Sequence, residues 1–291
     1  MKRNVLNSPR LSELKKGRRR DVLNKVLILL LGLVAVFALL AYFSRLNSLN
    51  ISSVEVTGNK ITDTQAMVKV VEDQMAGKYL WLFPKTNILY YPENKIINAL
   101  ALNFKRLKDI NLSIKAKTLE ISVDERDAKY TWCGVVLPQT DNQTCYFMDE
   151  NGYIFDVAPY FSGEVYFKFY GETDLPAQTG VNSASPMGSY FSKQNFQQLI
   201  SFKDVLVGLG LKPVALYTTS DGDIDIFLSG GATLTTGPMI ILRADADLQN
   251  EAENLEAALT TEPLQSKFKN NYTSLQYIDL RFGNKVYDKF Q

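Results

Sequence analysis

An apolar run that directly follows a basic N-terminal segment most constrains how this chain folds. The run, Val26 to Phe43, is 18 residues long and contains neither a charged side chain nor a side-chain amide. At 1.5 Å per residue, a helix of this length extends about 27 Å, close to the thickness of the hydrocarbon layer. The sequence therefore predicts one membrane-spanning helix over residues 26–44, with Tyr42 and Phe43 at the far interface.

The distribution of charge predicts the orientation of this helix. Residues 1–25 contain nine Lys or Arg and only two acids, although the net charge of the whole chain is +1. Lys and Arg are enriched on the cytoplasmic side of membrane helices, so we expect residues 1–25 to form a cytoplasmic tail and the residues after the helix to lie outside the cytoplasm. Beside a membrane span, topology and contact with anionic lipid explain this tail better than nucleic-acid binding does.

A cleaved signal peptide is the alternative to an uncleaved anchor. The apolar run is long for the hydrophobic region of a signal peptide, and the segment AYFSRLNS after it offers no pair of small residues for cleavage. These two features favour a single-pass anchor that stays on the protein in the plasma membrane.

The residue types that the chain lacks limit its chemistry. It has no histidine, which excludes Ser-His-Asp and Cys-His catalytic sets and histidine metal sites. Phosphate-binding and nucleophile-elbow motifs do not occur either. The aspartates of the segment Ser220–Ile226 suit a solvated hairpin turn better than a calcium site. We therefore predict a protein with no catalytic residues, metal or cofactor, which works by holding partners.

Cysteine and tryptophan give two further expectations. Cys133 and Cys145 are the two cysteines of the chain. Outside the cytoplasm they are free to form a disulfide, and a pair of free buried thiols is the alternative. Trp81 and Trp132 are expected in the core, because large aromatic side chains dominate cores.

The segment 50–126 has the pattern of a small α+β domain. It begins with an alternating strand at Val54 and Val56, continues with two amphipathic helices, and ends with two alternating strands before Arg126. The order strand, helix, helix, strand, strand places two helices on one face of a sheet. The segment 127–291 is mostly strands with turn signals such as Asn151-Gly152, together with two amphipathic helices, and predicts a mostly antiparallel β domain with flanking helices.

The final segment, LQYIDLRFGNKVYDKF (Leu275 to Phe290), alternates apolar and polar residues as a half-buried strand does. A strand so close to the C-terminus is expected at a sheet edge, where unpaired backbone groups attract other strands. Asp279 and Arg281 share its polar face, so Arg281 either pairs with Asp279 locally or bonds to an acidic residue of a partner.

Taken together, these motifs resemble a known family. The V-x-V-x-G-N start and the closing Glu125-Arg126 are similar to a POTRA domain, the β-α-α-β-β module. The D-x-x-G-x-x-F turn at Asp149 to Phe155 and the closing YIDLRFGNKVY resemble the bacterial cell-division proteins FtsQ and DivIB. The resemblance extends over nearly the whole chain from the span onward.

The resemblance implies a non-enzymatic divisome scaffold at the division site. Such proteins bind FtsB- or DivIC-like and FtsL-like membrane proteins, and so link early and late septum-assembly proteins and, indirectly, the septal peptidoglycan synthases. The partner adds a strand to the last strand of the scaffold. Carried onto this chain, the partner-binding residues are Asp279, Arg281, Phe282, Gly283, Asn284, Lys285, Val286 and Tyr287.

The sequence gives one mutational expectation and leaves two alternative functions open. We expect Arg281→Glu to leave the external region folded while weakening partner binding. A POTRA-bearing component of protein transport or envelope assembly is one alternative function, although such proteins normally carry a membrane β-barrel. A membrane-anchored cell-wall enzyme or sensor is the other, although it needs a pocket of convergent polar groups.

Overall fold

The chain contains two compact units, which are described separately. The computed structural model describes residues 9–138, 143–174, 185–231 and 233–291. Unit 1 contains the residues up to Phe104 and Asp109–Asp124, and unit 2 contains Lys105–Lys108 and Glu125–Gln291.

The first element of unit 1 is a long helix, α1 (Pro9–Ser44). It begins 17 residues before Val26, because Leu, Lys, Glu and Arg favour helix and the basic segment holds no proline after Pro9. Its part from Asp21 to Ser44 is long and apolar enough to cross a membrane, with a mean hydropathy of 2.9. The predicted apolar helix is therefore present, and it continues into the basic tail.

The rest of unit 1 combines a small sheet with two helices. The five elements expected from the sequence are all present, in the expected order: β1 (Ser53–Thr57), α2 (Thr64–Met75), α3 (Glu93–Asn103), β4 (Leu107–Lys115) and β5 (Thr118–Glu125). The sheet order is β1-β5-β4, with β1 parallel to β5. A short hairpin lies between the helices, formed by β2 (Lys78–Tyr79) and β3 (Phe83–Pro84).

Local sequence explains these elements. The Asp63 carboxylate caps α2 by accepting hydrogen bonds from the backbone N–H groups of Gln65 and Ala66. Met67 and Val71 of α2 are fully buried, as their spacing of four residues on one helix face predicts. Alternate residues of β5 are buried as well: Leu119, Ile121 and Val123.

The expectation that both tryptophans lie in the core is wrong for one of them. Trp132 is 8% exposed, whereas Trp81 is 90% exposed. Trp81 lies at the turn of the β2–β3 hairpin, where the short strands point its side chain away from the protein. Composition alone does not distinguish a turn position from a core position.

Unit 2 contains one nine-stranded, mostly antiparallel sheet. Its strands are β6 (Tyr130–Trp132), β7 (Tyr146–Met148), β8 (Ile154–Val157), β9 (Lys168–Tyr170), β10 (Pro213–Thr218), β11 (Asp223–Leu228), β12 (Met239–Arg243), β13 (Leu275–Phe282) and β14 (Lys285–Phe290). The order across the sheet is β14-β13-β12-β11-β10-β9-β6-β7-β8. Three neighbouring pairs are parallel: β6 with β9, β9 with β10, and β12 with β13.

The helices of unit 2 pack on this sheet: α4 (Phe196–Gly208), α5 (Leu248–Thr260) and α6 (Leu264–Asn271). The core includes Leu255 of α5, Ile240 of β12 and Ile278 of β13, all fully buried. Because Ile278 faces this core, its neighbour Asp279 faces the opposite side of the sheet. That alternation positions the site described below.

A disulfide and a turn of unit 2 agree with sequence signals. Cys133 and Cys145 form a disulfide beside the β6–β7 pair, whose predicted polar tip includes residues 139–142, outside the described residues. Asn151-Gly152 forms the turn between β7 and β8. The buried carboxylate of Asp149 accepts hydrogen bonds there from the backbone N–H groups of Asn151 and Tyr153.

Candidate binding site on the final hairpin

The strand that was expected at the sheet edge lies inside the sheet. Strand β13 pairs with β12 on one side and with β14 on the other. Gly283-Asn284 does not continue the docking edge, because it forms the two-residue turn of the β13–β14 hairpin, with Gly283 at a φ of +65° where glycine is favoured. The backbone of Asp279 and Arg281 is thus already paired, and the outer position belongs to β14.

Strand β14 forms one edge of the nine-stranded sheet. Among the described strands it has β13 as its only neighbour. Every second residue of β14 therefore directs its backbone N–H and C=O away from the sheet. Lys285, Tyr287 and Lys289 are exposed, while Val286 and Phe290 pack against the core. The edge thus offers backbone hydrogen bonds and one face of basic and aromatic side chains.

Asp279 and Arg281 form a local ion pair. The Arg281 Nε donates to Asp279 Oδ1 at 2.9 Å, and the Arg281 Nη2 donates to Asp279 Oδ2 at 2.7 Å. The Arg281 backbone N–H also donates to the same carboxylate. Of the two alternatives left open by the sequence, local pairing is the one that the structure contains.

Arg281 has a second carboxylate partner, which the sequence did not reveal. Its Nη1 donates to Asp223 Oδ2 at 2.6 Å, across the intervening strand β12. The sequence placed Asp223 in a solvated turn, and its separation of 58 residues from Arg281 gave no signal that the two meet. The parallel β12–β13 pairing, with Ile241 beside Asp279, produces this contact.

Arg281 and the carboxylates around it, Asp223, Asp225 and Asp279, form a charge cluster. The pKa values of two of these carboxylates shift in opposite directions. Burial raises the pKa of the Asp279 carboxyl, but the hydrogen bonds from Arg281 outweigh it and hold this pKa below its usual value. The hydrogen bonds to Asp279 and Asp223 raise the pKa of the Arg281 guanidinium, which stays charged. In contrast, burial and the nearby Asp223 carboxylate raise the pKa of Asp225.

These contacts change what we expect of Arg281→Glu. The substitution removes the guanidinium donors of Asp279, whose side chain is 8% exposed, and adds another carboxylate beside Asp223. Such a site leaves a buried charge without its partner, which is strongly destabilising. The expectation that this variant stays fully folded is therefore withdrawn, and Arg281 is a poor position for separating binding from folding.

An aromatic pair lies exposed at the hairpin end. The rings of Phe282 and Tyr287 meet edge to face with centroids 5.1 Å apart. Phe282 is 57% exposed and Tyr287 is 49% exposed. Exposed aromatic side chains that are already ordered cost little entropy to bury, which makes them good binding anchors.

The predicted partner-binding residues thus fall into three groups. Asp279 and Arg281 stabilise the sheet, Gly283 and Asn284 form the turn, and the rest lie on the hairpin beside or on the open edge: Phe282, Lys285, Val286 and Tyr287. No protein-family model matches the chain, and a search of the curated proteins finds no match either. The functional interpretation therefore depends on this geometry and on the sequence motifs.

Proposed function

We propose that this chain is a non-enzymatic scaffold of bacterial cell division. In this proposal α1 anchors it in the plasma membrane with its N-terminus in the cytoplasm, and unit 2 lies outside. An FtsB- or DivIC-like partner adds a strand to β14, and an FtsL-like protein joins the same complex. The scaffold thereby links early and late septum-assembly proteins.

The open edge of β14 is the observation that carries this proposal. A strand at an exposed edge pairs with any extended segment that satisfies its outward N–H and C=O groups. Backbone pairing gives affinity, and side chains at alternate positions give specificity. The Phe282–Tyr287 rings offer an apolar anchor at one end of that edge.

The side chains of the edge suggest the chemistry of the partner strand. Lys285 and Lys289 are both exposed and flank Tyr287 at alternate positions. A partner segment with acidic residues at matching positions and an apolar residue opposite Tyr287 complements this face. Lysines on an edge strand also oppose pairing with a second copy of the same strand, which favours a different partner.

The identity of the partner rests on the sequence motifs. A basic tail, one apolar helix, the V-x-V-x-G-N strand and the YIDLRFGNKVY segment occur in the order found in FtsQ and DivIB proteins. The hairpin β13–β14 contains the last of these motifs. The first residues of the proposed docking strand, Lys285 to Tyr287, therefore belong to this motif.

Site-specific photo-crosslinking in living cells tests the proposal directly. A photoreactive amino acid at Tyr287 is expected to crosslink to a small coiled-coil membrane protein of the FtsB or DivIC type, identified by mass spectrometry. The matched control is the same amino acid at Tyr160, which is 70% exposed in the same unit and lies outside the hairpin. The same pattern of crosslinked proteins at both positions contradicts the proposal.

Binding of purified proteins gives a quantitative test. Truncating an aromatic anchor at an interface costs about 1–2 kcal/mol or more, so we expect Tyr287→Ala to weaken partner binding by about fivefold or more. Tyr160→Ala is the control and should bind like the wild type. Equal affinities of the two variants in calorimetry argue against β14 as the docking edge.

Cellular location separates division from the other functions considered. A fluorescent fusion to the full chain is expected to form a ring at mid-cell. A uniform envelope signal throughout the cell cycle contradicts a role in division and favours a transport component or a sensor.

A further inference from the structure

The tip of the β2–β3 hairpin exposes two large apolar side chains. Leu80 is 74% exposed and Trp81 is 90% exposed. Their φ angles are +47° and +59°, in the left-handed region where Asn and Gly are usual and bulky residues are rare. Neither exposure to water nor backbone preference favours Leu and Trp here, so their presence needs another explanation.

The hairpin contacts the C-terminal part of α1 within unit 1. The ring of Phe83, on β3, packs edge to face against the ring of Phe37 with centroids 5.2 Å apart. The Arg45 Nε donates to the Leu82 carbonyl at 3.1 Å. The Asn87 amide donates to the Ser44 carbonyl at 3.0 Å. These contacts hold the hairpin beside the last turns of the helix.

The position of Phe37 along α1 determines how deep this hairpin lies. Phe37 precedes Phe43, the end of the apolar run, by six residues, which is about 9 Å along a helix. Helical side chains also tilt toward the N-terminus, which carries the Phe37 ring further into the apolar segment. A ring that packs against Phe37 therefore lies at or below the level where the span leaves the hydrocarbon.

We propose that the Leu80–Trp81 tip inserts into the lipid–water interface of the leaflet from which α1 emerges. Trp is enriched at this depth in membrane proteins, because its ring is apolar and its indole N–H bonds to water or headgroups. The bilayer that surrounds Phe37 in this proposal thus also covers the exposed side chains of Leu80 and Trp81. The hairpin becomes a second, shallow membrane contact, which restrains unit 1 against the membrane surface.

The base of the hairpin carries positive charge, which favours contact with anionic lipid headgroups. Lys78, which pairs with Pro84 across the hairpin, is exposed, and Lys85 follows β3 directly. Basic side chains beside an inserted tip reach anionic headgroups while their aliphatic stems cover apolar surface. Acidic lipids are therefore expected to strengthen the contact.

The inference rests on the uncleaved span of the proposed function and not on the role in division. Resistance of the full-length chain to extraction from vesicles by alkaline carbonate tests the span alone. If carbonate strips the chain, the span and the inference fail together. If the chain stays and the quenching experiment below fails, the inference alone is overturned.

Tryptophan fluorescence measures the insertion itself. The chain contains two tryptophans, and Trp132 is buried in unit 2, so Trp81 provides nearly all the accessible emission. The full-length chain is reconstituted into nanodiscs, one copy per disc, with either ordinary or brominated lipid. We expect brominated lipid to quench most of the Trp81 emission and aqueous iodide to quench little of it. The full-length Trp81→Phe variant isolates the Trp132 signal, which should respond to neither quencher.

Three outcomes overturn the proposal. Quenching of Trp81 by iodide but not by brominated lipid places the tip in water. Protection of Trp81 from both quenchers in single-copy discs places it against protein. A Trp81→Phe variant that loses no quenchable emission also contradicts the assignment, because the lipid-accessible tryptophan is then Trp132.

Discussion

Replacing Arg281 by methionine is the sharpest test of the charge cluster under the final hairpin. Methionine keeps much of the length of the side chain but removes the guanidinium. The substitution eliminates three hydrogen bonds between charged groups, two to Asp279 and one to Asp223. Among the described residues, the Asp279 carboxylate then keeps the hydrogen bond from the backbone N–H of residue 281. We expect Arg281→Met to destabilise unit 2.

The structure sets the magnitude. Breaking a fully buried ion pair by removing one partner costs about 3–5 kcal/mol. The Asp279 side chain is 8% exposed, but that of Arg281 is 34% exposed, so solvent screens part of the interaction. We therefore expect a loss of about 2 kcal/mol in the free energy of unfolding, between the values for surface and buried pairs.

Urea unfolding of the full-length chain in detergent, followed by near-ultraviolet circular dichroism, measures this loss. The double variant Asp279→Asn/Arg281→Met removes both charges and should recover part of the stability, because no buried charge is left unpaired. The pKa of folded Asp279 is lowered, so its contribution is present above the unfolded pKa of about 3.9 and is lost as the pH falls through the folded value. The difference between wild type and Arg281→Met should shrink accordingly below about pH 4.

A different result would refute this reasoning. If Arg281→Met unfolds at the same urea concentration as the wild type at pH 7, the ion pair contributes nothing. Asp279→Asn can be made in the wild type and in Arg281→Met. If it lowers the free energy of unfolding by the same amount in both, the two residues are not coupled.

Three further changes test other parts of unit 2. Burial and nearby carboxylates raise the pKa of Asp225, so Asp225→Asn should raise the urea midpoint at pH 7. This gain should vanish below about pH 4, because Asp225 is then protonated in both the folded and the unfolded protein. Replacing Cys133 and Cys145 by serine opens a disulfide with a sequence separation of 12, which should cost about 3 kcal/mol of unfolding free energy; an unchanged midpoint contradicts this. A Cβ at Gly152, where φ is +78°, meets the Phe196 ring at 2.8 Å. Gly152→Ala should therefore lower the thermal midpoint by an amount equivalent to about 1–3 kcal/mol. A melting curve like that of the wild type excludes this clash.

Local sequence was sufficient where neighbouring residues decide the structure. The periodicity of residues such as Met67 and Val71 predicted α2, and the alternation of Leu119 and Ile121 predicted β5. Asn151-Gly152 predicted a hairpin turn, and that turn is present. Each of these signals depends on groups within a few residues of each other, so no knowledge of distant strands was needed.

The candidate site was predicted only in part. The sequence identified Asp279 and Arg281 as occupants of one face of a strand, and the two side chains do meet. It did not indicate that β13 lies between two strands, because pairing with β12 is a contact between segments far apart in sequence. Asp223 escaped notice for the same reason.

The sequence by itself determined the apolar helix, the order of the five main elements of unit 1, and the alternation that places Asp279 and Arg281 opposite the core. Those features follow from periodicities of about 3.6 and 2 residues, which a chain displays without folding. Only the tertiary structure decided which strand is the open edge and that Trp81 projects from a hairpin beside α1. The physical reason is that strand neighbours and docking contacts join residues distant in sequence, and packing selects among the many pairings that one pattern permits.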